Sequence, residues 1–270
     1  MSTFTKVIAI SNQKGGVGKT TTVVNLAAVL AKKKQTVLVV DLDPQANATS
    51  GLGVDPQPGV NLYRAMQDPA TLDSMIVGTV IEGVNLIPSE LEMAGAEVEI
   101  ARSPDHLRCV KTILKPIVDA KLFDYIFIDC PPSLGILMTN ALVAADSVLI
   151  PMQCEYYALE GLSAMVTRVI QGMKSGGANP TLEIEGILMT MFDSRTNLCE
   201  QVVQDVRKHY GMAVYKSVIP RSVRVSEAPS FRLPVVTCDP SSKGAEAYME
   251  FGREFLLRAS AWKVSKTKLA

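Results

Sequence analysis

Apolar positions in this chain gather into short, nearly uninterrupted runs separated by longer stretches of mixed character. Val7-Ile8-Ala9-Ile10, Thr36-Val37-Leu38-Val39-Val40 and Tyr125-Ile126-Phe127-Ile128 lack polar alternation, which predicts strands buried on both faces of a sheet. Runs at 83–88, 147–152, 183–191 and 214–219 predict further strands. Helical character fills the gaps at 22–30, 61–66, 90–100, 104–119 and 137–145. A long helix is predicted to open in Gln153–Leu162 and to end at Ser175-Gly176-Gly177. Two more follow, one ending at Tyr210 and one from about Ser242 to Trp262. Strands alternating with helices predict an α/β fold: a doubly wound, mostly parallel sheet with helices on both faces. Residues 50–104 carry the weakest pattern and are assigned to scaffold and to dimer or partner contacts.

Length and charge narrow the picture. The 270 residues suit a single domain, 1–270, with a core large enough to need neither disulfides nor metals. Lys263, Lys266 and Lys268 mark 263–270 as a flexible basic tail. Lys+Arg and Asp+Glu stand at 27 each, so any nucleic-acid contact must come from a local patch. Five scattered cysteines without a C-x-x-C pair, and only two histidines, argue against a zinc ribbon or a disulfide framework. No apolar run approaches the roughly 18 residues of a membrane span, and the first one is too short for a signal peptide. A soluble cytoplasmic protein without stable membrane association is expected.

The chemistry concentrates in Lys14-Gly15-Gly16-Val17-Gly18-Lys19-Thr20-Thr21, between the first predicted strand and helix. Glycines there let successive backbone N–H groups converge on a phosphate, and the helix adds the positive end of its dipole. Lys19 can reach the β- and γ-phosphates of ATP, and the Thr20 hydroxyl can ligate Mg²⁺. The common pattern G-x-x-x-x-G-K-S/T would place glycine at position 13; this chain has Gln13, followed by a second lysine, Lys14. Asp41 and Asp43 leave the second strand, where ligands of open α/β sheets gather. Asp43 is the leading candidate to position or activate the attacking water and a further candidate for the metal. Asp129 ends a third apolar strand, a Walker B pattern that holds Mg²⁺ directly or through water. Cys130-Pro131-Pro132-Ser133 behind it is a stiff loop suited to sensing a γ-phosphate.

The form K-G-G-x-G-K-S/T is the deviant Walker A motif of the ParA/MinD superfamily. The chain resembles the ParA/Soj-type partition ATPases over nearly its whole length. Lys14–Thr21, Asp41–Gln45, Asp129–Ser133, Gln153–Leu162, Met191–Leu198 and Ile219–Ser230 carry the likeness. The resemblance implies ATP bound between two face-to-face subunits, with Lys14 reaching the partner's phosphates, and slow hydrolysis stimulated by a ParB/Spo0J-type centromere-binding protein. It implies non-specific binding of double-stranded DNA by the ATP dimer, through Arg195 and Arg224 with Arg221 beside them, and association with the nucleoid. It implies an adenine site around Met191, Phe192 and Pro220. The P-loop lies so near the start that the N-terminal helix-turn-helix of the larger plasmid relatives is expected to be missing.

A MinD-like membrane-cycling or cargo-positioning ATPase is the alternative reading, since that class shares the deviant loop and the lysine. It anchors through a C-terminal amphipathic helix, whereas 255–263 here reads as a packed final helix. An iron–sulfur relative would need cysteine ligands at the site; Cys130 and Cys154 read instead as small, partly buried side chains.

Overall fold

The computed structural model describes residues 4–267, and side chains as far as 260. Eight strands form one sheet: β1 (Lys6–Ile10), β2 (Val37–Asp41), β3 (Val77–Gly78), β4 (Val84–Ile87), β5 (Tyr125–Asp129), β6 (Ser147–Gln153), β7 (Glu183–Phe192) and β8 (Val214–Pro220). Their order is β3-β4-β2-β5-β1-β6-β7-β8. Every pairing is parallel except the short edge pair of β3 with β4. β1 therefore lies at the centre, with the earlier strands on one side of it and the later ones on the other. This reversal of winding is where an open α/β sheet forms a crevice outside its carboxyl ends.

The unbroken apolar runs have a simple cause. Successive side chains on a strand point to opposite faces, and here both faces are covered. Val7, Ala9, Leu38, Val40, Ile126 and Ile128 enter one core, whereas Ile8, Ile10, Val37, Val39, Tyr125 and Phe127 enter the other. The second core is closed by α1 (Lys19–Lys32) and the long last helix, Lys243–Thr267. Phe255 of that last helix packs edge-on against Tyr125 and Phe127, at ring separations of 5.4 and 6.0 Å. The end of the chain thus packs on the sheet as far as Ala259, which is fully buried. The basic tail expected over 263–270 lies outside the residues whose side chains are described.

Several predicted boundaries move. The helix expected from Pro104 begins at Cys109, after a run of turns. The one expected within Gln153–Leu162 begins at Ala158 and passes through a π-helical stretch, Met165–Ile170, before Ser175. Residues 50–104 hold the antiparallel β3, the strand β4 and several short helices, among them Met93–Arg102, which buries Met93, Ala96 and Ile100.

Candidate functional site

The loop between β1 and α1 bends through two left-handed glycines, Gly16 at φ 74° and Gly18 at φ 89°. A Cβ on Gly16 would meet no atom within 4 Å, so the requirement there is backbone conformation rather than space. Gly18 caps α1 without a side-chain hydrogen bond, and the first turn holds no acid. The first N–H groups of the helix are thus open to an anion. Val17 turns its side chain into the protein, and its carbonyl accepts a 2.8 Å hydrogen bond from the Thr190 hydroxyl. Asn12 braces the other side, accepting the Lys14 N–H at 3.0 Å while its amide donates to the Pro151 carbonyl.

The two lysines occupy different surroundings. Lys19 is buried, with Nζ 3.1 Å from the Lys14 carbonyl. Desolvation lowers its pKa, opposed by the charges of Asp129, Cys130 and Asp43. Lys14 is half exposed and ion-paired with Glu155. A cavity of about 340 Å³ opens over the loop, lined by Gly15, Gly16, Gly18, Lys19, Thr20 and Thr21, and closed by Asp43, Gln45, Asn47, Pro132 and Met191. The Lys14 side chain lies outside it, on an adjoining depression with Tyr156 and Tyr157.

Three carboxylates crowd the strand ends, each held differently. Asp41 and Asp129 are register partners on β2 and β5. Asp41 is turned inward: Oδ2 accepts from the Thr49 N–H and hydroxyl at 2.9 and 2.8 Å, and Oδ1 from the Asp43 N–H at 3.1 Å. Burial nonetheless pushes its pKa up to about 6. Asp41 thus shapes the turn, while Asp43, whose Oδ1 caps the Gln45 N–H at 3.0 Å, lines the cavity. Asp129 is fully buried and neither carboxylate oxygen has a well-formed hydrogen bond. Burial and the Asp41 charge raise its pKa well above the ordinary range, with Thr20 and Lys19 pulling the other way. A buried carboxylate without partners is costly, and a cation behind Thr20 would satisfy it. Among the described residues no three His, Cys, Asp or Glu side chains cluster as a metal cage. Mg²⁺ is bound through one or two carboxylates together with substrate phosphates. Thr20 and Asp129 fit it.

Met191 and Pro220 both line a second cavity of about 320 Å³ that adjoins the first through Gly18 and Thr21. Met191 holds a left-handed φ of 51°, strain of the kind found at ligand sites. Phe192 does not line this cavity but packs against the core. Arg221 does line it, its N–H bonded to the Phe192 carbonyl at 2.9 Å. Arg195 and Arg224 stand on the surface, 83% and 63% exposed. Asn12, Thr190 and Glu155 escaped the sequence reading. Asn12 stood beside the loop motif, whereas Thr190 and Glu155 are joined to it only by the fold.

A family model described as an AAA domain matches residues 5–184. The chain is 50% identical over 250 residues to the sporulation initiation inhibitor protein Soj of Bacillus subtilis, covering 92% of this chain and 97% of that one. It is 48% identical over 259 residues to the chromosome partitioning protein ParA of Myxococcus xanthus, covering 95% and 90%. The chain belongs to the ParA/Soj family of partition ATPases. Among solved structures it resembles a cobyrinic acid a,c-diamide synthase from Mycobacterium smegmatis, bound to an ATP analogue and magnesium. That likeness has a TM-score of 0.80 and 37% identity and covers 96% of each chain. Among the described residues no helix is long and apolar enough to cross a membrane.

Proposed function

We propose that this chain is an ATP-driven DNA-partition switch of the ParA/Soj kind. ATP sits on Gly15–Thr21, with the base toward Met191 and Pro220. The loop N–H groups and Lys19 take the β- and γ-phosphates, and the low solvation of Lys19 strengthens its grip on them. Mg²⁺ held by Thr20 and Asp129 supplies neutralisation of phosphate charge. Asp43, at the cavity rim, accepts a hydrogen bond from the attacking water and aims it in line. Lys14 crosses to a second copy's phosphates, which ties dimerisation to the γ-phosphate. The dimer then binds double-stranded DNA on the nucleoid without sequence preference, through Arg195, Arg221 and Arg224. Hydrolysis, slow alone and stimulated by a ParB/Spo0J-type centromere-binding protein, releases it.

The observation that most supports this reading is the position of Lys14. A loop lysine serving its own nucleotide would point into its own cavity. This one lies outside it, half exposed and ion-paired with Glu155. An exposed ion pair of this sort is weak and easily exchanged.

The test is duplex-DNA binding by the Asp43→Ala protein, with ATP and with ADP, across a salt series. Binding that needs ATP, ignores sequence and weakens steeply with salt is expected. A stable ATP dimer that binds anionic liposomes instead of DNA would overturn the reading in favour of the MinD-like alternative.

A further inference from the structure

The arginines of the proposed DNA face are already engaged by carboxylates of the same chain. The loop leaving β7 folds Asp193 back on itself. Its Oδ1 accepts from the Arg195 backbone N–H at 3.0 Å and from Nε at 2.9 Å, and its Oδ2 from Nη2 at 2.7 Å. Arg221, leaving the neighbouring strand, adds its charge to the same carboxylate. Three residues on, Arg224 is bracketed by Glu227 at 3.2 Å and Asp239 at 3.4 Å. Three guanidinium groups thus have three carboxylates beside them.

We propose that Asp193 and Glu227 set the DNA affinity of this face: each occupies an arginine in cis and must yield it to a DNA phosphate, which keeps the grip weak and readily reversed. This rests on the DNA-binding reading above. The forked pair on Asp193 uses the very N–H donors that a phosphate would take bidentately. Binding therefore exchanges one anion for another, and the gain at Arg195 is only the difference. The fixed charge of Asp193 also repels the approaching phosphate, and an arginine already neutralised releases less of the DNA counterion atmosphere. The arginine ends of these pairs stand in solvent, where they are screened and cheap to open. They orient the arginines without locking them. Each copy in an ATP dimer carries the same arrangement, so the effect is applied twice.

Asp193 also has a plain structural role, capping the Arg195 N–H in its turn. Asparagine keeps that acceptor and removes only the charge, so Asp193→Asn separates the two roles. The experiment measures ATP-dependent binding of the full chain to a random-sequence duplex over a salt series, in an Asp43→Ala background that holds the dimer. Asp193→Asn and Glu227→Gln are each expected to tighten binding about three- to tenfold and to steepen the log–log salt slope by about one to two. ATP affinity and dimerisation should not move. Adding Arg195→Ala to Asp193→Asn should erase the gain. Unchanged or weaker DNA binding by both variants, beside a parent that binds, overturns this proposal alone. A parent with no ATP-dependent DNA binding overturns the DNA reading and the proposal with it.

Discussion

Two groups of charges at the carboxyl ends of the same sheet are treated in opposite ways. Under the P-loop, Asp129 is fully buried and has no well-formed hydrogen bond. Beyond β7, Arg195 is mostly exposed and forked onto Asp193. Elementary electrostatics predicts the reverse, since pairing matters most where water is absent. A buried charge left without a partner is a site waiting for one from outside the chain, and the ion it fits raises the stability of the folded state when it arrives. An exposed, paired charge is a site whose partner can be exchanged at little cost. The first arrangement suits a tightly held nucleotide and metal. The second suits a surface that must bind and release a polyanion repeatedly.

The sharpest way to break this comparison is Asp129→Asn. Removing the charge should lower Mg²⁺-dependent phosphate release at least about 100-fold. The same change relieves a buried, unpaired carboxylate, so the nucleotide-free protein should gain about 1–3 kcal/mol. Thermal melts without nucleotide and with Mg·ATP measure both sides: the variant should melt higher than the parent alone and lose most of the shift on adding Mg·ATP. A lower melting temperature without nucleotide would mean that Asp129 serves the fold itself, and the contrast would fail.

Lys14 tests a position between these extremes, half exposed and paired with Glu155. Lys14→Ala should bind ATP within about threefold of the parent, because Lys19 and the loop N–H groups remain. It should form no ATP-dependent dimers in sedimentation. Gly15→Val should behave likewise, since its side chain would intrude where the subunits of the proposed dimer meet. Normal dimers in Lys14→Ala would sink the trans assignment.

The division of the fold into readable and unreadable parts follows the same physics. Strands buried on both faces announce themselves as apolar runs, and β1, β2 and β5 end within a residue of their expected limits. The P-loop was legible because glycines, lysines and threonine must be consecutive for the backbone to wrap a phosphate. Residues 50–104 were obscure because most of their elements are very short: Leu62–Gln67 buries only Leu62 and Ala65, and Leu72–Met75 only Leu72 and Met75. Little period builds up over four to six positions. The functions of Thr190 and Glu155 were hidden for another reason. Thr190 reaches Val17 across 173 residues and Glu155 reaches Lys14 across 141, contacts that only the sheet order creates. Asp41 leaves the same strand end as Asp43, but Thr49, eight residues on, turns it inward.

The smallest effects separate two arginines of the proposed DNA face. Arg195 stands in solvent, away from both cavities, whereas Arg221 borders the cavity that holds Met191 and Pro220. Arg195→Ala should leave the melting temperature and ATP affinity unchanged, weaken DNA binding a few-fold and flatten the salt slope by about one to two for a dimer. Arg221→Ala should reduce DNA binding comparably, and in addition weaken nucleotide binding about two- to fivefold, because it removes a wall of the cavity next to Thr21. Nucleotide titration followed by a DNA salt series on the same preparations distinguishes them. Equal ATP affinities would confine Arg221 to the DNA face. An Arg221→Ala defect in ATP binding with an unaltered salt slope would move that residue wholly to the nucleotide, leaving Arg195 and Arg224 to carry the DNA.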